Sequence, residues 1–392
     1  MTDPFARIRR LQASMDRHGL DALVCRLPEN VVFLTEHWPI HGVSIAVLER
    51  EGRAHLLVPE IERAYANADW ADVEEFGWSL LKDRDLYQEV RERLARLRDE
   101  RGLASARIGV ERSFEVVGST YRAAEPIVPA EPWSAALNDV FPKATLLDGG
   151  PAVSDARKVK TAYELGKLRN ANGIAEIGMR RFLAELEPGM SEIEVGAMIE
   201  HAIRSQGPGH GDARLVRASA EVAAGRGNSA GAVLLVPSTP YRIREGDLVM
   251  VELGVVVDGY WSDLTYMAVA GAEPSAEQRE LHNAVLRAQR AAAAEMRPGR
   301  PWSAPDAAAR RVLEEAGLLE RFPHITGHGI GFRYHEFEPL LAPGADLPLE
   351  EGMVSSVEPG AYLPDVGGVR IEDIVAVGPD GPVFLSTPRE PW

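Results

Sequence analysis

Acidic residues set into apolar strand sequence are the first sign of chemistry in this chain. In Leu248-Val-Met-Val-Glu-Leu-Gly-Val-Val-Val-Asp-Gly-Tyr-Trp-Ser-Asp-Leu-Thr, two β-rich runs flank Asp258-Gly259, a strong signal for a two-residue hairpin turn. Such a turn pairs Val257 with Tyr260, and therefore Glu252 with Thr265 and Gly254 with Asp263. Glu252 and Asp263 then lie diagonally on one face of the sheet, within reach of a shared ligand. A carboxylate in an otherwise apolar strand is costly unless something neutralises it. The plainer reading of this pair alone is two separate acids on solvated strands.

Three further segments add to the set. His324-Ile-Thr-Gly-His-Gly-Ile-Gly-Phe-Arg-Tyr-His-Glu places glycines beside His328, which let the backbone pack closely around whatever the ring contacts. In Val357-Glu-Pro-Gly-Ala-Tyr, Glu358 ends an apolar stretch at a proline, and in Gly367-Gly-Val-Arg-Ile-Glu-Asp, Glu372 sits in a strand-like run. Taken singly, each reads as a core histidine or a salt-bridged structural acid. Together, four carboxylates and one imidazole suit Mn²⁺ and similar divalent ions, with two ions where carboxylates bridge. Such a centre lowers the pKa of a bound water and polarises a carbonyl.

Two regions must position these residues. Over roughly the first 150 residues, helical spacing at Phe5, Ile8, Leu11 and Met15 is followed by a strand at Asp21-Ala-Leu-Val-Cys. A hairpin around Glu49–Arg53, a charged helix from Leu86 to Leu103 and another strand at Ile108 complete an α/β layer. The pattern changes near Asp148-Gly-Gly-Pro. Helical segments at about 162–186 and 191–206 follow, the second opened by a capping box at Ser191-Glu-Ile-Glu. Strands dominate from Leu215, with helices at about 275–297 and 303–316. The domains expected are 1–154 and 155–392.

The ordered runs GYWSDLT, GHGIGFRYHE, VEPGAY and GGVRIED resemble the creatinase/aminopeptidase P/prolidase family of pita-bread proteins. The resemblance is strong over 155–392 and reaches weakly into the N-terminal part through DALVCRLPENVVFLT and DARKVKTAYELGKLRNA. It implies an α/β (α+β) protein, with a C-terminal pita-bread fold and a smaller N-terminal creatinase-like α/β domain. It places the metal ligands at Glu252, Asp263, His328, Glu358 and Glu372. His335 resembles the family's second histidine, which helps hold the substrate and the tetrahedral intermediate, and Arg370 an arginine lining the substrate pocket. Glu358 is also the carboxylate expected to relay the proton. The implied cofactor is a divalent metal, Mn²⁺ first with Co²⁺ or Zn²⁺ as alternatives, as one or two ions, and the implied assembly is a homodimer.

The chain departs from the family's peptidase pattern at two places. Glu252 stands where hydrolytic members usually have Asp, and the extra methylene moves the carboxylate by about 1.5 Å, one C–C bond. Peptidase members usually carry a histidine before the first ligand strand, and Ser229-Ala-Gly-Ala-Val-Leu-Leu-Val-Pro-Ser-Thr-Pro-Tyr-Arg-Ile-Arg-Glu has none. Three functions follow from the resemblance. The first is metal-dependent hydrolysis of a C–N bond by an Xaa-Pro dipeptidase or aminopeptidase P-like enzyme. The others are creatinase-like hydrolysis of a small amide, and a catalytically silent peptide-binding homologue.

Composition removes other classes. The chain has 392 residues, with 43 Lys and Arg against 59 Asp and Glu and a net charge of −16, so it offers no electrostatic footprint for nucleic acid or a membrane surface. A single cysteine, Cys25, excludes intrachain disulfides and CxxC zinc motifs. The N-terminus lacks the apolar segment of a secretory signal, and no apolar run approaches the ~18 residues that span a bilayer. A cytoplasmic setting is the expectation. Gly227-Asn-Ser-Ala-Gly231 satisfies the serine-hydrolase pattern GxSxG but reads as a Gly-rich turn leading into a strand at Ala232, which disfavours a nucleophile at Ser229.

Overall fold

The Asp258-Gly259 turn forms as its sequence requires. Both residues have positive φ, 51° and 93°, as a type I′ hairpin demands. The flanking strands pair in the expected register, Val257 with Tyr260, Gly254 with Asp263 and Glu252 with Thr265. The computed structural model describes residues 5–40, 43–77, 86–112, 131–231 and 237–392. The strand expected at Ala232-Val-Leu-Leu-Val lies outside them.

The chain divides into two compact units, Met1–Arg157 and Lys158–Trp392. In the first, strands β1 (Ala22–Cys25), β2 (Ile45–Glu49), β3 (Ala54–Pro59), β4 (Ala71–Phe76), β5 (Arg107–Val110) and β6 (Thr145–Asp148) form one mixed sheet in the order β4-β3-β2-β1-β5-β6. The β2–β3 hairpin is antiparallel, whereas β1–β5, β5–β6 and β3–β4 are parallel. One face of the sheet packs on the helices Leu86–Glu100 and Glu131–Val140 through Val90, Leu94, Leu97, Trp133 and Leu137. The helix Gly150–Arg157 spans the point where the sequence pattern changes and belongs to this unit.

Among the described residues, the second unit holds three sheets. Strands β7 (Val216–Ala224), β8 (Leu248–Val257) and β9 (Tyr260–Val269) make an antiparallel sheet. Strands β10 (Gly327–Gly329), β11 (Glu336–Leu341), β12 (Val354–Val357), β15 (Asp373–Val377) and β16 (Pro382–Phe384) form a second, in the order β11-β10-β12-β15-β16. A two-stranded ribbon pairs β13 (Gly360–Leu363) with β14 (Gly367–Arg370). The helices Ala162–Glu185 and Glu192–Gln206 pack on the β7–β9 sheet. Both start in capping boxes, Thr161 with Glu164 and Ser191 with Glu194, which satisfy the free N–H groups of the first turn. The helices Ala276–Ala294 and Ser303–Glu315 close the other side over a core of Met250, Met267, Val285, Leu313 and Met353.

Two local features differ from the sequence reading. The Gly-rich GxSxG segment is not a turn but the short helix Gly225–Gly231. Its Ser229 hydroxyl donates to the Gly225 carbonyl at 2.6 Å and accepts the Gly368 N–H at 3.1 Å, so it ties β14 in place. Tertiary contact overrides the low helix propensity of three glycines in seven residues. The strand-like run Val369–Val375 is also broken at Ile371-Glu372, because there the chain leaves the β13–β14 ribbon for the five-stranded sheet. Glu372 therefore lies at a crossover between sheets. Among the described residues, no helix is long and apolar enough to cross a membrane.

Candidate metal centre

Each candidate side chain is fixed by a different element. Glu252 and Asp263 project from β8 and β9, His328 from β10, Glu358 follows β12, and Glu372 sits between β14 and β15. Glycines flank His328 for a steric reason. A Cβ on Gly327 would overlap the Ser356 carbonyl oxygen, and one on Gly329 would overlap the Glu338 carbonyl oxygen. The β10–β11 register shifts between His328 and Gly329, a local bulge of the kind that re-aims a side chain.

The His328 ring is oriented from behind. Its Nδ1 lies 2.9 Å from the Gly329 carbonyl, so Nδ1–H donates there and Nε2 is left facing the carboxylates. Nε2 is 3.3 Å from Glu358 Oε1 and 3.6 Å from Asp263 Oδ2. The Ser356 hydroxyl links two members of the group, accepting the His328 N–H at 3.1 Å and donating to Glu358 Oε1 at 2.9 Å. Glu372 Oε2 accepts a 2.8 Å hydrogen bond from the Thr265 hydroxyl. Its Oε1 is buried with no hydrogen-bond partner among the described residues. An unpartnered carboxylate oxygen buried among other acids is an open acceptor for a cation or a water.

Electrostatics tell the same story. Burial would lower the pKa of His328, but hydrogen bonds to Asp263 and Glu358 outweigh it and push it up to about 10. Burial acts to raise Glu358, yet the hydrogen bond and charge of His328, with Arg370 behind, hold it down at about 2. Glu372 is raised well above the usual carboxylate range, first by burial and then by the charges of Asp263, Glu358 and Glu252. Four acids, Glu252, Asp263, Glu358 and Glu372, share two cationic groups, Arg370 and His328, so the cluster is short of positive charge. In each of two groups the donor atoms lie within 4.8 Å of one another: His328 with Glu358 and Glu372, and Asp263 with His328 and His335. The donor set therefore fits a hard or borderline divalent ion.

Family comparison agrees with this chemistry. The model for the metallopeptidase family M24 matches residues 166–379, and that for the creatinase/prolidase N-terminal domain matches 7–159. The chain belongs to metallopeptidase family M24. Among curated M24-like relatives, a putative dipeptidase, YkvY, of Bacillus subtilis (strain 168) is 30% identical over 97% of each chain. An Xaa-Pro dipeptidase of Pyrococcus furiosus is 30% identical over 98% of this chain and 99% of its own. Two solved structures are similar throughout. The prolidase from Pyrococcus horikoshii OT3 has a TM-score of 0.76 at 26% identity, covering 98% of this chain and 99% of its own. The Xaa-Pro dipeptidase from Bacillus anthracis has a TM-score of 0.78 at 27% identity, covering 99% of both. The M24 unit of this chain thus has the prolidase-type pita-bread fold, preceded by a creatinase-type N-terminal domain.

Of the residues singled out in the sequence, Asp263, His328, Glu358 and Glu372 converge. His335 lies at the edge of the group, its ring T-shaped to that of His328 at a centroid distance of 4.2 Å. Arg370 is buried, donates to Tyr362 Oη at 3.0 Å and to Thr265 Oγ1 at 3.2 Å, and pairs with Glu252. Glu252 joins neither group of converging donors. The sequence reading also passed over Tyr334, Thr265, Tyr362 and His324. Tyr334 donates to Glu252 Oε1 at 2.9 Å and contacts Asp263 Oδ1, while His324 Nε2 lies 2.9 Å from the Tyr362 hydroxyl. The visible signal for Tyr334 is its place next to His335, and for Thr265 its pairing with Glu252.

Proposed function

We propose that the protein is a divalent-metal-dependent dipeptidase that hydrolyses the amide bond of short peptides, with Xaa-Pro dipeptides as the preferred class. One observation carries this reading: Asp263, His328, Glu358 and Glu372 meet in the interior, with an oxygen of Glu372 left unpartnered. An oxygen-rich set of this kind holds Mn²⁺ well, with Co²⁺ or Zn²⁺ as alternatives, and the bound ion polarises the scissile carbonyl and acidifies a water. The Pyrococcus furiosus relative bears the name Xaa-Pro dipeptidase and matches over nearly its whole length, which supports the substrate class.

The side chains divide the remaining work. Glu358, fixed between the Ser356 hydroxyl and His328, accepts a proton from the attacking water and passes it to the departing amide nitrogen. The water oxygen bonds to the carbonyl carbon, the C–N bond breaks, and both protons of the water end on the products. His335, beside His328, donates to the carbonyl oxygen as negative charge gathers on it. Arg370, already aligned by Thr265 and Tyr362, fixes the charge balance of the pocket.

The test is a panel of Xaa-Pro dipeptides, non-proline dipeptides and longer Xaa-Pro peptides. Each is assayed with metal-depleted protein and with protein reloaded with Mn²⁺. Turnover of the Xaa-Pro dipeptides restored by the ion is the expected result. No peptide cleavage under any metal condition overturns the reading.

A further inference from the structure

Both carboxylate oxygens of Glu252 are occupied by protein donors. Oε1 accepts the Tyr334 hydroxyl at 2.9 Å, and Oε2 is paired with the Arg370 guanidinium. The Tyr334 hydroxyl also reaches Asp263 Oδ1, so it lies between the two carboxylates that diagonal pairing on β8 and β9 brings together. Tyr334 is held there by neighbouring rings, Trp261 at 5.5 Å and His335 at 4.6 Å between centroids, and is 4% exposed. Arg370 is 3% exposed and cannot leave without stranding its hydrogen bonds to Thr265 and Tyr362. An ion bridging Glu252 and Asp263 would have to displace the phenol and sit against a buried guanidinium.

The other side of the cluster is different in kind. His328 presents a single nitrogen, Nε2, because Nδ1 faces the Gly329 carbonyl. Both groups of converging donors share that histidine, and neither includes Glu252. Glu372 Oε1, buried with no hydrogen-bond partner among the described residues, belongs to this half as well.

We propose that Tyr334 and Arg370 stand in for a cation beside Glu252, so that the chain binds one divalent ion, held by Asp263, His328, Glu358 and Glu372. Glu252 is then a positioning residue that holds the phenol and the guanidinium rather than a metal ligand. The inference rests on the reading of this cluster as a metal centre.

Metal-depleted full-length protein titrated with Mn²⁺ tests it, with stoichiometry from calorimetry and elemental analysis and with the electron paramagnetic resonance spectrum of the loaded form. One equivalent per chain with an uncoupled manganese signal is expected. Glu252→Gln should keep that equivalent with affinity within about tenfold of the parent, because Glu252 touches the phenol and the guanidinium and not the ion, whereas Glu372→Gln should lose about 100-fold or more. Two equivalents, or a spin-coupled pair, overturn the inference and leave the metallopeptidase reading standing. One equivalent that Glu252→Gln weakens as much as Glu372→Gln also overturns it. No bound ion overturns both.

Discussion

Thr265 and Glu372 are tied side chain to side chain at 2.8 Å across 107 positions of sequence, the Thr265 hydroxyl donating to Glu372 Oε2. The same hydroxyl accepts from Arg370 Nε at 3.2 Å, so a neutral residue on β9 sets both the buried acid and the buried base at the sheet crossover. With Oε2 engaged, Oε1 is the oxygen left without a hydrogen-bond partner among the described residues. Thr265→Val keeps the shape and deletes the hydroxyl, which should weaken Mn²⁺ binding by about 10–100-fold, as the loss of a ligand-orienting contact does. Thr265→Ser should restore most of it. Equilibrium dialysis of the two variants checks this, and equal affinities for Thr265→Val and the parent would refute it.

The proposed mechanism gives Glu358 two duties, ligand and proton relay, and substitution separates them. Glu358→Gln keeps an acceptor oxygen for the Ser356 hydroxyl but has no basic site, so with metal at saturation kcat should fall by about 10²–10⁴-fold with a smaller change in KM. Asp263→Asn should act mainly through ion affinity. Steady-state kinetics across a metal series distinguishes them. Retained turnover in both variants would remove the assigned site.

How much of this could be read from the sequence depended on how local the determinant was. The β8–β9 register was legible because Asp258-Gly259 permits one tight turn, and the turn alone fixes which residues face each other. The shared chemistry of Asp263, His328, Glu358 and Glu372 suggested one centre, but their assignment as ligands came from the resemblance, since they lie on or beside separate strands whose meeting no local pattern encodes. Glu252 shows the limit. Its place on the correct face was legible, but the claims of Tyr334 and Arg370 on its oxygens were not. Tyr334 comes from the 331–335 loop, held by Glu336 through its bonds to the Phe332 N–H and to Lys160. The Gly225–Gly231 helix was illegible for a similar reason, because its Ser229 is engaged by Gly368 on a strand distant in sequence.

Glycine positions at the centre make a separate prediction about stability. Gly327→Ala drives a methyl group into the Ser356 carbonyl and must shift β10 against β12, at a cost of about 1–3 kcal/mol. Gly166 provides the contrast, lying within the helix Ala162–Glu185 with open space where its Cβ would go. Gly166→Ala should therefore stabilise by about 0.5–1 kcal/mol. Denaturant melts of the two variants should move in opposite directions. A neutral Gly327→Ala would show that the close approach beside His328 is not required.

Far from the cluster, a histidine makes stability depend on pH. His282, on the helix Ala276–Ala294, stacks on Trp392 with rings 3.9 Å apart and 6° from parallel. Asn283 exchanges hydrogen bonds with the Trp392 backbone at 3.0 and 3.2 Å, which fixes the stacked partner. Burial pushes the pKa of His282 from 6.5 down to about 4, outweighing the opposing bond to Asn283. Between those values the unfolded chain takes up a proton that the folded chain refuses, so the contribution is complete above pH 6.5 and is lost as the pH falls to about 4. Its size is on the order of 3 kcal/mol. His282→Phe preserves an aromatic stack without a titrating group, and the stability difference between parent and variant should change with pH across this window and nowhere else. Chemical denaturation at intervals from pH 4 to 8 measures that difference, and a constant offset would mean that His282 is not held neutral by burial.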